Sequence, residues 1–82
     1  MFSNRASDGK NNICGQKMKA LRLALPERTS QRVFADYLQL AGLDLDKNAV
    51  QRIESGERFV TDIELKVIAQ VLNVSYADLL DD

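Results

Sequence analysis

The most informative absence in this 82-residue sequence is that of histidine, together with a cysteine count of one. A single cysteine cannot form an intrachain disulfide, so nothing in the sequence points to an oxidising compartment. One thiol without any imidazole also excludes the usual zinc ligand sets and the Ser–His and Cys–His catalytic pairs. We therefore expect a protein that is not an enzyme and that uses no metal ion or cofactor.

Long hydrophobic runs are also missing from the sequence. No apolar stretch approaches the roughly 20 residues that cross a bilayer, and the N-terminus lacks the hydrophobic segment of a signal peptide. The expected location is therefore the cytoplasm, without a membrane partner. With 45% hydrophobic residues among 82, the chain can form one modest core, which predicts one small domain.

Charge of one sign is not in excess, since the net charge is −1. This balance argues mildly against nucleic-acid binding. Residues 1–60, however, carry ten basic and seven acidic side chains, whereas residues 61–82 carry one basic and five acidic. A local positive face can therefore exist under an acidic total, and the local field is what a phosphate experiences. The same distribution of charges also fits an ordinary solvated surface that binds nothing.

Residues 1–12 are polar, and their composition predicts a disordered N-terminal tail. The alternative is a basic arm that touches DNA through Arg5 and Lys10. Asp8 dilutes the positive charge of this segment, which favours the tail.

Two helices are predicted between residues 13 and 42. The first runs from Ile13 to Ala24 or Leu25 and is stopped by Pro26, which disfavours helix at the residue before it. Its buried stripe is predicted to comprise Cys14, Met18, Leu21 and Leu25. The second begins at Thr29 or Ser30 and ends at Gly42. Its apolar face is predicted to comprise Phe34, Tyr37, Leu38 and Ala41.

A third, short helix is predicted over residues 47–56, after Asp46 as the N-cap. Val50 and Ile53 are three residues apart and share its inner side, and Gly56 ends it. The opposite side carries Lys47, Asn48, Gln51 and Arg52. These residue types are the ones that bind base edges in the major groove of DNA, although a solvated helix surface can look the same.

Two further helices complete an all-α prediction. Thr61 and Glu64 have the spacing of a capping box, and Asn73 is a plausible end to the helix that follows it. The core stripe of that helix is predicted to comprise Leu65, Ile68, Ala69 and Leu72. Ser75 and Asp78 repeat the start signal for a last short helix with Tyr76, Leu79 and Leu80. This last helix is expected either to close the core or to form a dimer patch, and the pattern favours neither.

Several short segments together carry a family resemblance. They are Leu21-Arg22, Thr29-Ser30-Gln31, Phe34-Ala35, Val50-Gln51-Arg52-Ile53-Glu54-Ser55-Gly56, Ile68-Ala69 and Leu72-Asn73-Val74-Ser75 leading to Asp78-Leu79-Leu80. In this order they resemble the lambda-repressor-like helix-turn-helix domains, the Cro/C1 or Xre type of bacterial and phage regulators. The resemblance covers residues 13–80 and implies a compact five-helix bundle with a helix-turn-helix, over a domain of residues 13–82.

The resemblance also implies a mechanism and its residues. The third helix would enter the major groove, with Lys47, Asn48 and Arg52 at base-reading positions and Gln51 close by. Gln31, Arg32 and Arg58 would contact the DNA backbone. Arg22 and Glu54 would form a partly buried ion pair that ties the first helix to the third. The expected function is a sequence-specific transcriptional regulator, a repressor, that acts in the bacterial cytoplasm at the nucleoid as a homodimer on a palindromic double-stranded operator.

The sequence departs from the family pattern in three ways. The span from Ala35 to Glu54 is about five residues longer than usual, which predicts a longer second helix and a looser turn. Val33 stands where the family often has glutamate. Acidic residues also flank the third helix, at positions Asp44, Asp46 and Glu57. These acids and the acidic total favour the alternative function, a protein-interaction module such as an antitoxin or an antirepressor on the same scaffold.

Overall fold

The computed structural model describes residues 8–81, and residues 1–7 and 82, including Arg5, lie outside the described part. Five helices follow one another: α1 (Gly15–Leu23), α2 (Gln31–Leu40), α3 (Lys47–Ser55), α4 (Asp62–Leu72) and α5 (Tyr76–Leu80). Residues 8–81 contain no strand. The all-α prediction with five helices is therefore confirmed. None of these helices is long and apolar enough to cross a membrane.

Every helix contributes to one hydrophobic core. Its buried members are Cys14, Met18, Phe34, Ala35, Leu38, Leu45, Val50, Ile53, Ile68, Ala69, Leu72 and Leu79. Val50 and Ile53 of α3 are 0% exposed, so α3 is anchored by two side chains on one side. Cys14 is a core thiol, as predicted, and its burial raises the pKa of the thiol.

The helix ends follow the local sequence signals. The side chains of Ser30, Asp46, Thr61 and Ser75 each accept a hydrogen bond from a backbone N–H in the first turn of the helix that follows. Gly56 takes the left-handed conformation at φ +85° and ends α3, and Asn73 does the same for α4 at φ +57°. Because these capping groups lie within one turn of each helix end, the sequence around each end is enough to predict them.

The apolar faces of the first two helices differ in part from the predicted ones. Helix α1 begins two residues later than expected, and Ile13 is 59% exposed. On α2 the buried residues are Phe34, Ala35 and Leu38, whereas Tyr37 and Ala41 are exposed. Ala41 lies beyond the last helical residue, so the helical spacing no longer directs it to the core.

The longer α2–α3 connection is well anchored, contrary to the looser turn that the sequence predicted. Gly42 at φ +94° allows the backbone to reverse, and Leu43 N–H donates to the Leu38 carbonyl at 2.9 Å. The Gln39 amide donates to the Leu45 carbonyl at 3.0 Å, and Leu45 itself is buried. The extra residues thus form a loop that is hydrogen-bonded to α2 and anchored in the core by Leu45.

Residues 11 and 12 also differ from the tail that the sequence predicted, since they are hydrogen-bonded to the end of α3. Asn11 N–H donates to the Gly56 carbonyl at 2.8 Å. The Asn12 amide donates to the carbonyls of Ile53 at 3.1 Å and Arg58 at 2.7 Å. The last carbonyls of a helix have no partner within the helix, and side-chain amides can supply one. For the rest of residues 1–12 the predicted disorder stays a prediction, and residues 1–7 lie outside the described part.

Candidate nucleic-acid interface

The outer face of α3 exposes four polar side chains with hydrogen-bonding groups. Lys47, Asn48, Gln51 and Arg52 are all exposed there. Asn48, Gln51 and Arg52 line one shallow depression together with Ser55 and Glu57. The opposite side of α3 is held in the core by Val50 and Ile53, so the four polar side chains project from a fixed helix.

Acidic side chains border this face. Asp44 and Glu57 are exposed near the two ends of α3. Asp46 is also exposed, and its carboxylate accepts a hydrogen bond from Ala49 N–H at 2.8 Å. Part of its charge therefore interacts with the positive N-terminal end of α3. The local field around α3 is consequently mixed, not uniformly positive.

The two residues at the start of α2 lie in different environments. Arg32 is exposed and lines a groove between α2 and α3 with Asp36, Lys47 and Asn48. Gln31 is half-buried, and its amide donates to Glu54 Oε1 at 3.0 Å. The structure thus directs Arg32 toward solvent beside α3 and brings Gln31 onto a buried carboxylate, a contact that sequence reasoning missed.

Arg22 and Glu54 form a buried bidentate ion pair. Arg22 Nε donates to Glu54 Oε2 at 2.8 Å, and Arg22 Nη2 donates to Oε1 at 3.0 Å. Their side chains are 6% and 3% exposed. Arg22 Nη1 also donates to the Thr29 carbonyl at 2.7 Å. With Gln31 added, this network joins α1, the start of α2 and the end of α3 around one carboxylate.

Arg58 is engaged in a second bidentate ion pair that the sequence reasoning did not foresee. Its Nη1 and Nη2 atoms donate to Glu64 Oε1 and Oε2, each at 2.9 Å. Glu64 also accepts from Thr61 N–H at 2.9 Å, which completes the capping box of α4. The sequence signal for Glu64 was the capping box alone, and no local pattern selects Arg58 as its partner.

The ionisation of this pair reflects its geometry. The hydrogen bond from Arg58 holds the pKa of the Glu64 carboxyl below its ordinary range, against the opposing effect of burial. The same hydrogen bond raises the pKa of Arg58. Glu64 therefore stays ionised to lower pH than a free glutamate.

A lowered folded-state pKa gives Glu64 a defined pH dependence. Its contribution to the free energy of unfolding is complete above the ordinary glutamate pKa of about 4.3 and is lost as the pH falls through the lower, folded value. We therefore expect Glu64→Gln to be less stable than wild type at pH 7, with the difference shrinking below about pH 4. Urea unfolding at pH 7 and at successively lower pH measures this. A difference that stays constant below pH 4 would contradict the assignment.

Sequence reasoning also missed Gly15, the residue that sets how closely α1 approaches α3. A Cβ atom at Gly15 would overlap the carbonyl oxygen of Ile53. Gly15 N–H donates to Asn12 Oδ1 at 2.8 Å, so the same asparagine holds the start of α1 and the end of α3. A glycine inside a predicted helix was the available signal, because glycine costs helix stability unless close packing requires it.

The described residues show no cluster of three or more histidine, cysteine, aspartate or glutamate side chains that could hold a metal ion. What they do show is two consecutive helices, α2 and α3, joined by an ordered turn, with the second helix exposing a polar face and packed on α1 and α2. This arrangement defines a helix-turn-helix domain.

The comparison with solved structures identifies the family. The crystal structure of the restriction-modification controller protein C.AhdI from Aeromonas hydrophila is similar to this chain, with a TM-score of 0.64 and 30% sequence identity. The similarity covers 80% of this chain and 86% of that one. The chain belongs to the lambda-repressor-like, Cro/C1-type helix-turn-helix family, and the resemblance found in the sequence is confirmed. No model of a protein family matches the chain, and no curated protein does.

Proposed function

We propose that this protein is a sequence-specific, double-stranded-DNA-binding transcriptional regulator that inserts α3 into the major groove. The observation that carries the proposal is the exposed polar face of α3 on a helix fixed by Val50, Ile53 and the Arg22–Glu54 pair. Base readout needs side chains held in a constant position, since a bidentate hydrogen bond to a base tolerates little displacement.

Four residues of α3 are proposed as base readers: Lys47, Asn48, Gln51 and Arg52. Arginine and lysine pair with the acceptors of guanine, and asparagine and glutamine pair with adenine. Backbone contacts are proposed for Arg32, which is exposed beside α3, and for Arg58 in the loop after α3. Gln31 is proposed to fix the start of α2 near a phosphate while its amide holds Glu54.

The similar protein supports the regulatory role, because C.AhdI is described as a restriction-modification controller protein. We propose a repressor that acts as a homodimer on a palindromic operator, without enzymatic activity, in the cytoplasm at the nucleoid. Two half-sites read by such a dimer lie about 34–36 Å apart, one turn of the duplex. Selection of bound duplexes from a random pool would report the operator sequence and this spacing together.

Arg52→Ala tests the base-reading assignment. We expect the affinity for the selected operator to fall by about 5- to 150-fold, which corresponds to about 1–3 kcal/mol for one bidentate base contact. Affinity for a scrambled duplex should change far less, because non-specific binding depends on phosphate contacts. Fluorescence anisotropy with both duplexes at one salt concentration measures the two effects. Arg28→Ala is the matched control, since Arg28 is exposed in the α1–α2 connection and loses the same charge. Equal losses on both duplexes would remove Arg52 from the readers.

The second candidate function is a protein-interaction module on the same scaffold. The mixed field around α3, with Asp44 and Glu57 exposed near its ends, is the observation that favours it. A mobility-shift experiment on random duplex at low salt separates the two functions. A competent DNA-binding domain binds non-specifically at roughly micromolar to hundred-micromolar concentrations, so absence of any shift in that range would contradict the DNA-binding proposal.

A further inference from the structure

We infer that Glu64 limits the non-specific DNA affinity of this protein by competing with phosphate for Arg58. The inference rests on the proposed function, because it concerns the loop after α3 that would lie against the DNA backbone. It assigns to Glu64 a role beyond that of a helix cap.

In this pair the Glu64 carboxylate occupies the place on Arg58 that a DNA phosphate would take. Both terminal nitrogens of Arg58 are used by both oxygens of Glu64, at 2.9 Å each. Arg58 Nη1 also donates to the carbonyl of Phe59 at 3.1 Å. A phosphate presents the same pair of acceptor oxygens to a guanidinium group, so carboxylate and phosphate compete for one set of donors.

Further hydrogen bonds hold the backbone of Arg58 and the side chain of Glu64. Arg58 N–H donates to the Arg52 carbonyl at 3.1 Å, and the Arg58 carbonyl accepts from the Asn12 amide at 2.7 Å. Glu64 is fixed by its hydrogen bond from Thr61 N–H at 2.9 Å. A DNA phosphate would therefore have to compete for the Arg58 guanidinium with a carboxylate that the first turn of α4 holds beside it.

The exposure of the pair matters as much as its geometry. The side chain of Arg58 is 32% exposed and that of Glu64 is 12% exposed. The arginine is therefore the more accessible partner, and the carboxylate lies on the protein side of it. DNA can approach Arg58, but the neutralised pair attracts phosphate weakly. The number of counterions released on binding should accordingly be lower than the number of exposed basic residues suggests.

Glu64→Gln is the variant that tests this inference. Glutamine retains an oxygen that can accept from Thr61 N–H, but it removes the negative charge from Arg58. We expect the slope of log affinity against log salt, measured on a scrambled duplex, to become steeper by about one. Between 50 and 200 mM salt this is an additional loss of affinity of about 3.5-fold relative to wild type. Affinity at 50 mM should be higher than that of wild type.

Asp62→Asn is the matched control. Asp62 lies in the same first turn of α4, is exposed, and loses the same charge, but its carboxylate accepts from Ile63 N–H of its own helix. We expect the slope of this variant to equal that of wild type. A Glu64→Gln slope equal to that of Asp62→Asn would overturn the inference, because the effect would then be one of total charge. A purely structural role of Glu64 would lower affinity without steepening the slope.

Arg58 variants complete the experiment. Arg58→Ala should flatten the slope by about one in the Glu64→Gln background and by clearly less in the wild-type background. Equal changes in both backgrounds would overturn the inference. If Glu64→Gln does not fold, Arg58→Ala in the wild-type background takes its place: an arginine already neutralised by Glu64 should cost clearly less than one unit of slope, whereas a flattening by a full unit would overturn the inference. If the wild-type protein binds DNA and the Glu64→Gln slope equals that of wild type, only this inference is refuted. If the wild-type protein binds no duplex at low salt, the proposed function itself is refuted.

Discussion

Glu54→Ala is expected to lower the free energy of unfolding by about 3–5 kcal/mol, because it leaves the guanidinium of Arg22 buried without its counter-charge. The same change leaves the Gln31 amide without its acceptor. A domain of 82 residues has a free energy of unfolding of about 4–12 kcal/mol. A loss of about 3–5 kcal/mol is a large part of this, so we expect much of the variant to be unfolded at elevated temperature. Urea unfolding followed by circular dichroism measures the change.

Glu57→Ala is the control for this experiment. Glu57 is an exposed glutamate three residues along, and its removal changes the net charge by the same amount. We expect it to change the free energy of unfolding by about 0.5 kcal/mol or less. The double variant Arg22→Met with Glu54→Leu should recover much of the lost stability, since apolar replacement of a whole buried pair is often neutral. A loss of less than about 1 kcal/mol in Glu54→Ala alone would show that the pair is solvated and not buried.

Gly15→Ala is expected to destabilise the domain by about 3 kcal/mol, although helix propensity alone favours alanine over glycine by about 1 kcal/mol. The new Cβ would overlap the carbonyl oxygen of Ile53, which belongs to the backbone and cannot rotate away. Helices α1 and α3 must move apart to remove this overlap. That movement would lengthen the hydrogen bonds of Asn12 to both helices. Thermal and urea unfolding measure the effect.

Gln16→Ala, at the next position of α1, is the matched control for Gly15→Ala. Gln16 is exposed, so its replacement should follow propensity and leave stability nearly unchanged. Unchanged or increased stability of Gly15→Ala would mean that α1 can shift away from α3 at little cost. The close approach of the two helices would then not be a requirement of the fold.

The sequence predicts the parts of this structure that depend on neighbouring residues. The starts of α3 and α4 at Asp46 and Thr61, and their ends at Gly56 and Asn73, are as expected because capping uses groups within one turn. The spacing of Val50 and Ile53 similarly placed the inner face of α3. Local hydrogen bonding and helical period account for all of these.

The contacts between distant segments were not predictable in the same way. The Asn12 amide donates to the carbonyl of Ile53, which is 41 residues away in the sequence. No pattern near Asn12 indicates that partner. Arg22 was paired with Glu54 through the family resemblance and not through any property of the two residues. The partner of Arg58 was missed because a charged residue has many possible counterions, and only the packed structure selects one.

The hydrogen bonds of Asn11 and Asn12 connect the N-terminal segment to the end of α3. These side chains donate to the carbonyls of Ile53, Glu57 and Arg58, so we expect a displacement of residue 10 to strain the end of α3. A tether, surface linkage or bulky fusion placed there would act mechanically on the part of the molecule proposed to bind DNA.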